Sequence, residues 1–256
     1  MGQYIPLKYY FDKDLAERLA TLISINYKSF PNKIFIDNVS KRVENKELKA
    51  RVLVIAEELH KALPKEFDKA LLVLLSVLGP VNQTEKGMFT NGYFLMPIAR
   101  YVELYGSSHV SLSLEALYEI TQRHTSEYAI RPFIVNNTNE CLKYFDIWRK
   151  DNNSHVRRLV SEGTRPRLPW ASKIDYINGD INQNLVLLDS LKNDSSNYVR
   201  KSVGNHLNDL SKEEPEIVLS WLLERRTTTS PIVIKRGLRT LVKKEYPGAL
   251  EMIREI

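Results

Sequence analysis

The residues best suited to chemistry lie between Ser154 and Trp170, where an acidic side chain is surrounded by basic ones. Gly163 and the prolines that follow it predict that a helix ends here, which places Glu162 in its last turn. A carboxylate at the negative end of a helix dipole is disfavoured by about 0.3–1 kcal/mol unless cations compensate for it. Three arginines are close enough in sequence to do so: Arg158, Arg165 and Arg167.

Two interpretations of Glu162 fit this pattern. In the simpler one, its arginines hold it in an ion pair and its role is structural. In the other, the arginines keep it ionised and also bind phosphates, so that an anion points into a nucleic-acid groove. Trp170 follows Pro169 outside any predicted helix, where its ring face can meet a cation. Trp148 and Trp221 occupy apolar helix positions instead and are predicted to lie in the core.

The elements that must position this segment are predicted to be helices, because apolar residues recur at three- and four-residue spacing throughout the chain. Leu48, Val52, Ile55 and Leu59 are one such series. We expect roughly a dozen helices and no sheet. Turn residues cluster at the predicted breaks, which are Phe30–Asn32, Gly79–Pro80, Tyr105–Ser108, Asp151–Asn153, Asp194–Ser196 and Thr227–Pro231.

The second half of the chain repeats itself. Trp148–Arg158 aligns without gaps on Leu191–Lys201, at an offset of 43 residues. A third copy begins at Pro231 and is offset by 35 residues from the second. A helix, a polar turn and a second helix that opens with an apolar-basic pair are typical of a two-helix repeat of HEAT-like length. The sequence therefore predicts an all-α, superhelical stack of HEAT-like antiparallel helix pairs with a concave basic face.

We expect residues 1–256 to form a single HEAT-like repeat domain. Residues 1–120 would supply N-terminal helices and a cap, and residues 121–256 the repeats that carry the Glu162 segment. The net charge is +6, and the basic excess lies mainly in residues 121–256.

Stacked repeats would align three basic pairs into one stripe. A basic stripe suits a duplex backbone, because bound phosphates release counterions. The same residues could instead pair with acidic neighbours such as Asp151 and Asp194, as in protein-binding scaffolds. On charge alone the two interpretations are equally supported. The pairs are Arg157 with Arg158, Arg200 with Lys201, and Lys235 with Arg236.

The runs His155–Trp170 and Thr125–Phe133 resemble the AlkC branch of the AlkC/AlkD-type DNA alkylation repair glycosylases, and a looser similarity includes Leu112–Leu117 and Ile55–His60. The resemblance implies a HEAT-like fold that wraps duplex DNA and hydrolyses the N-glycosidic bond of N-alkylated bases, such as N3-methyladenine, N3-methylcytosine and N1-methyladenine. Some members carry an immunoglobulin-like domain after the repeats. This chain ends at Ile256 without one, so DNA contacts made by that domain are not expected.

By this resemblance, Glu127 and Glu162 match acidic active-site positions and Trp170 matches an active-site aromatic. Alkylation leaves the base positively charged and already a good leaving group, so the remaining barrier is the charge that develops on the sugar. A nearby carboxylate stabilises such a transition state and orients water. We expect Glu162 to supply it and Trp170 to favour a cationic base. For Glu127 the alternative is a helical ion pair with Arg131, four residues on.

The predicted phosphate-binding residues extend beyond the active-site segment. On a helix, Arg157 and Arg158 point about 100° apart, so both cannot face one groove squarely. The full set is Arg157, Arg158, Arg165, Arg167, Arg200, Lys201, Lys235 and Arg236, with Arg239 as a further candidate.

No metal and no cofactor are expected, because the five histidines lack zinc spacing to cysteines or carboxylates. We expect most of them to be on helix surfaces or partly buried. The single cysteine, Cys141, is predicted to be a buried structural thiol, which suits a reducing compartment. No apolar run reaches the length of a membrane span. We therefore expect a cytoplasmic monomer whose partner is duplex DNA and not a membrane.

Two other functions fit the repeats and the charge. One is a HEAT-repeat scaffold that binds DNA or a protein without chemistry, and the other is an enzyme on a different nucleic-acid substrate. Only Glu162, Glu127 and Trp170 distinguish the glycosylase from the scaffold.

Overall fold

Helices make up all the regular structure of the described residues. The computed structural model describes residues 5–86 and 88–255, and no strand occurs among them, as the sequence predicted. The described residues form two compact units that divide between Ala129 and Ile130. The single domain over residues 1–256 stays a prediction, and residues 1–4, 87 and 256 of it lie outside the described part. No helix within the described part is long and apolar enough to cross a membrane.

The first unit begins with a helix that Asp12 caps, because its carboxylate accepts hydrogen bonds from the backbone N–H groups of Asp14 and Leu15. Helix α1 packs against α2, α2 against α3, and α3 against α6. The helices are α1 (Lys13–Asn26), α2 (Asn32–Val43), α3 (Leu48–Ala62), α4 (Phe67–Leu75), α5 (Met88–Asn91), α6 (Met96–Tyr105) and α7 (Val110–Thr121).

The second unit contains the helix pairs of the predicted repeat. In it α10 packs against α12, and α12 packs against α14. Trp148, Trp221 and Cys141 are buried, as predicted. The helices are α8 (Arg131–Asn136), α9 (Thr138–Trp148), α10 (Ser154–Gly163), α11 (Ile181–Asp189), α12 (Asn197–Leu210), α13 (Pro215–Glu224), α14 (Pro231–Lys243) and α15 (Ala249–Arg254).

The polar turns that precede α10 and α12 share one set of hydrogen bonds. Asp151 accepts a bond from the backbone N–H of Asn153 at 2.7 Å, and Asp194 accepts one from that of Ser196 at 2.8 Å. The side chains of Asn153 and Ser196 then cap their helices by accepting from backbone N–H groups in the first turn. The alignment at an offset of 43 residues is therefore confirmed at the level of single hydrogen bonds.

The first residue of each basic pair in these two repeats is tied to the preceding turn. Arg157 donates to the carbonyl oxygens of the first two turn residues at 2.8 and 3.0 Å, and Arg200 donates to the two equivalent carbonyls. Arg157 also forms a bidentate ion pair with Asp194, at 2.7 and 2.8 Å. It therefore joins the first repeat to the second.

The third copy follows the second in its apolar positions. Val199 and Val203 on α12, and their counterparts Ile234 and Leu238 on α14, are all fully buried. The two helices approach closely, because a Cβ built on Gly204 would lie 2.6 Å from the Cβ of Arg236. A larger residue than glycine would force α12 and α14 apart.

Replacing Arg157 by alanine should destabilise the fold, because the almost fully buried carboxylate of Asp194 would lose its cation. Removing one partner of a buried ion pair costs about 3–5 kcal/mol, and chemical denaturation measures this loss of unfolding free energy. The matched control is Lys201→Ala, which removes an exposed member of the next basic pair and should change stability by at most about 0.5 kcal/mol. Equal effects of the two substitutions would contradict a structural role for Arg157.

Candidate active site

The helix that carries Glu162 ends where the sequence predicted. Helix α10 stops at Gly163, whereas its repeat counterpart α12 continues to Leu210, the position equivalent to residue 167. A Cβ on Gly163 would lie 2.8 Å from the Cγ2 atom of Ile130, so this close packing requires glycine. The chain then leaves the repeat pattern in a long loop that ends at the α11 N-cap, Asp180.

Buried side chains satisfy the carbonyl oxygens at this helix end, which have no partners within the helix. On α12, Nδ1 of His206 lies 2.9 Å from the carbonyl oxygen of Ser161. Its Nε2 lies 3.2 Å from Nδ2 of Asn184, which also donates to the carbonyl of Thr164. Burial lowers the pKa of His206 to about 4, so the ring is neutral at physiological pH, and its contact with the carbonyl assigns the proton to Nδ1.

The expectation that most histidines lie at or near the surface was wrong. His124, His155 and His206 are all buried. At His206 the reason is its position on α12, which faces the end of α10, where a neutral imidazole can satisfy a carbonyl oxygen.

A buried arginine holds the segment that follows Gly163. Arg131, at the start of α8, donates to the carbonyl oxygens of Gly163 and Arg165 at 3.1 and 2.7 Å, and to that of Ser172 at 2.7 Å. Its positive charge lies at the carbonyl end of α10 and therefore offsets the helix dipole that disfavours an anion there.

Both carboxylate oxygens of Glu162 are held. Oε1 accepts a hydrogen bond from Arg165 at 2.7 Å and lies 3.7 Å from a guanidinium nitrogen of Arg158. Oε2 accepts a hydrogen bond from the hydroxyl of Ser202 at 2.6 Å. Burial raises the pKa of Glu162, but the two arginines and Ser202 outweigh this effect and bring the pKa below its ordinary value. Glu162 is therefore a buried carboxylate that stays ionised at neutral pH.

Arg165 lies between two buried carboxylates. It donates to Glu162 and, through Nε, to Asp209 on α12 at 2.8 Å. Lys212 lies 3.4 Å from the other oxygen of Asp209. Burial lowers the pKa of Arg165, but the two carboxylates outweigh it and raise the pKa above its ordinary value. The arginine is thus fixed in place and cannot follow a rotating Glu162.

Sequence reasoning missed Ser202, His206 and Asp209, although a signal was present. The three residues recur at i, i+4 and i+7 on α12, so they share one helix face. All three are buried, and each has a partner on α10 or just after it. Polar residues on a helix face that packs against another helix are the signal that could have revealed them.

Trp170 presents most of its side chain to solvent, with 81% of the residue exposed. Its φ of +62° is in the left-handed region, which a bulky residue seldom adopts. The loop anchors it on one side through Leu168, which is buried, and through a hydrogen bond from the backbone of Ile174 to the carbonyl of Pro166. Strained backbone of this kind is concentrated at functional sites.

Glu127 is buried in the turn after α7, within the first unit. Since α8 begins at Arg131, the two residues do not share a helix, and an ion pair between them stays a prediction. A role for Glu127 beside Glu162 stays a prediction.

Some of the predicted phosphate-binding residues already have partners within the protein, and others are exposed. Arg167 pairs with Glu213, and the guanidinium of Arg158 lies 4.6 Å from the ring centroid of Tyr198. Arg157, Arg165 and Arg200 have the carboxylate or carbonyl partners described above. Lys201 and Lys235, by contrast, are exposed.

A further basic group lies where α12 meets α14. Arg239 donates to the side chain of Asn205 at 2.9 Å. Burial is the largest effect that lowers the pKa of Arg239 below its ordinary value, and the nearby charge of Arg236 lowers it further. Like charges are therefore crowded at this point, an arrangement that favours a bound anion.

Comparison with known proteins places these residues in a family. The family model described as DNA alkylation repair enzyme matches residues 122–241. The uncharacterized protein YhaZ of Bacillus subtilis is 34% identical over 252 residues, which are 96% of this chain and 67% of YhaZ. The Pseudomonas fluorescens alkylpurine DNA glycosylase AlkC, solved bound to DNA containing an abasic site analog, superimposes with a TM-score of 0.85. It is 32% identical, over 98% of this chain and 69% of AlkC.

The chain belongs to the DNA alkylation repair enzyme family, in its AlkC-type branch. The all-α, HEAT-like fold expected from the repeats is confirmed. The family match includes Glu127, the whole segment Ser154–Trp170 and all three basic pairs.

Proposed function

We propose that this protein is a DNA glycosylase that hydrolyses the N-glycosidic bond of cationic N-alkylated bases in duplex DNA, for base excision repair. Its substrates would be bases such as N3-methyladenine, N3-methylcytosine and N1-methyladenine. The observation that carries the proposal is the buried, ionised carboxylate of Glu162 in a member of the DNA alkylation repair family. Membership in the AlkC-type branch supports the same activity, since AlkC is named an alkylpurine DNA glycosylase.

The chemistry needs an anion more than it needs an acid. A cationic base leaves as a neutral molecule and takes the electron pair of the C1′–N bond, so the enzyme has no need to protonate it. Positive charge then develops on the sugar, where a preorganised carboxylate stabilises the transition state. We assign this role to Glu162, with water adding to C1′ and releasing its proton to solvent. Arg165 keeps Glu162 ionised and fixed, as this role requires.

Trp170 would select the base by charge. The face of a tryptophan ring attracts a cation by about 0.5–2 kcal/mol, depending on how far the contact is desolvated. Trp170 is exposed on a loop whose neighbouring residue Leu168 is buried, so its ring is presented from a fixed point. Glu127 would be the second acidic residue of the site, in agreement with the family resemblance.

We propose that the basic residues bind phosphates in two ways. The exposed Lys201 and Lys235 would make direct contacts, and the crowded Arg236 and Arg239 would form an anion site. A guanidinium has five N–H groups. The arginines that already have protein partners would therefore bind phosphates with the N–H groups that those partners do not use. This second group consists of Arg157, Arg158, Arg165, Arg167 and Arg200.

We further propose that the protein works in the cytoplasm as a monomer, on the DNA of the nucleoid, without a cofactor. Cys141 supports a reducing compartment, because burial raises the pKa of its thiol to about 12 and leaves it unreactive.

The wild-type protein should release free base from duplexes that contain N3-methyladenine, N3-methylcytosine or N1-methyladenine, because each of these bases is cationic. Mass spectrometry of the released bases is the measurement. Unmethylated duplex and a duplex that contains uracil, a neutral base, are the controls and should release nothing above background. Tight binding without release from any methylated duplex would favour the non-catalytic scaffold and contradict the proposal.

Lys201→Ala should weaken binding to methylated and unmethylated duplex alike, because a phosphate contact carries no sequence information. Its plot of log affinity against log salt should be shallower than that of the wild type by about 1. Fluorescence anisotropy at several salt concentrations measures both. Lys143→Ala, which removes an exposed lysine paired with Glu140 on α9, is the matched control. Identical slopes for the wild type and Lys201→Ala would remove Lys201 from the DNA-binding surface.

A further inference from the structure

We infer that Ser202 is a positioning residue for Glu162, whose carboxylate it orients through a hydrogen bond from the neighbouring repeat. The inference rests on the proposed function. It means that a residue on α12 orients the proposed catalytic carboxylate, which is on α10.

The contact is short and excluded from water. The hydroxyl oxygen of Ser202 lies 2.6 Å from Oε2 of Glu162 and 3.1 Å from the hydroxyl oxygen of Ser161. Ser202 is 2% exposed and Ser161 is fully buried. A hydroxyl has one proton to donate, and an ionised acceptor binds it more strongly than a neutral one. The proton therefore points at Glu162.

Ser202 and Arg165 hold the two oxygens of the same carboxylate. Arg165 binds Oε1, and Ser202 binds Oε2. Two donors of different chemistry fix the rotation of the carboxylate plane, which a single donor would leave free. Asp209 fixes Arg165 in turn and lies two helical turns after Ser202. Both constraints on Glu162 therefore originate on α12.

The hydroxyl is specific to this repeat. The residue equivalent to Ser202 is Leu159 in the first repeat and Gly237 in the third, and both are buried. The helices of the other repeats therefore pack with an apolar residue or a glycine at this position, so packing does not require a hydroxyl. A buried hydroxyl is unfavourable unless it is hydrogen-bonded, and here its charged partner is the proposed active-site anion.

Removing the hydroxyl should change the titration of Glu162 in a defined direction. Burial would still raise the pKa, but one of the groups that lower it would be gone, so the pKa of Glu162 rises. Because the ionised form is the active one, the acid limb of the pH–rate profile moves to higher pH. At neutral pH, the misaligned carboxylate should lower kcat by about 10-fold. KM should stay unchanged, because Ser202 is only 2% exposed and therefore offers almost no surface to DNA.

The experiment compares Ser202→Ala with Ser202→Thr, which retains a hydroxyl, and with Ser211→Ala. Ser211, the residue that follows α12, is a matched control. It is also buried, but its hydroxyl oxygen lies 3.2 Å from each of two carbonyl oxygens instead of a carboxylate oxygen. The pH dependence of single-turnover base release is measured for each, and kcat and KM are measured at neutral pH. The pKa of Glu162 is measured separately, without DNA, by carbon-13 NMR of labelled glutamates, with Glu162→Gln identifying the resonance.

The expected result is a higher Glu162 pKa and a shifted acid limb in Ser202→Ala, with values near those of the wild type in Ser202→Thr and Ser211→Ala. If Ser202→Thr does not fold, the comparison of the two alanine variants decides. An unchanged pKa and profile in Ser202→Ala, or an equal change in Ser211→Ala, would overturn the inference. If the wild type releases no base, the proposed function fails, whereas the NMR titration still reports on the hydrogen bond.

Discussion

Glu162 is a carboxylate removed from water, and a small set of neighbours in the second unit keeps it charged. Burial alone would favour the neutral acid. Arg165, Arg158 and Ser202 reverse that preference, and Arg131 adds positive charge at the end of the helix that carries the residue. Because a buried, unpaired carboxylate would protonate or unfold its surroundings, the anion depends on these partners acting together.

The partners of Glu162 come together because the repeat is interrupted at Gly163. An intact helix would carry the chain past Gly163, as α12 continues past the equivalent residue His206, and would leave no loop for Arg165 and Trp170. The interruption exposes carbonyl oxygens that a plain repeat would bond within the helix, and His206 and Asn184 satisfy them from the next pair of helices. The same repeat geometry that builds the scaffold thus places α12 where it can define the site.

Local features of this arrangement could be predicted from the sequence. Glycine and proline determine where α10 ends, and the 43-residue alignment predicts equivalent turns and caps before α10 and α12. The partners of Glu162 on α12 could not be predicted, because spacing shows that Ser202 and Asp209 share a face but not which atoms they meet. Arg157 illustrates the same limit, since a basic residue predicted to bind phosphate has a bidentate bond to Asp194.

The most direct test of the central claim is single-turnover release of N3-methyladenine by Glu162→Gln. This substitution keeps the shape of the side chain but removes its charge, and Arg165 keeps its bond to Asp209. The loss of a preorganised electrostatic group typically slows the chemical step by about 10²–10³-fold, and we predict a loss of this size with DNA binding retained. Glu140→Gln, on α9, is the control and should release base at the wild-type rate. Unchanged release by Glu162→Gln, with the variant folded and bound to DNA, would contradict the account.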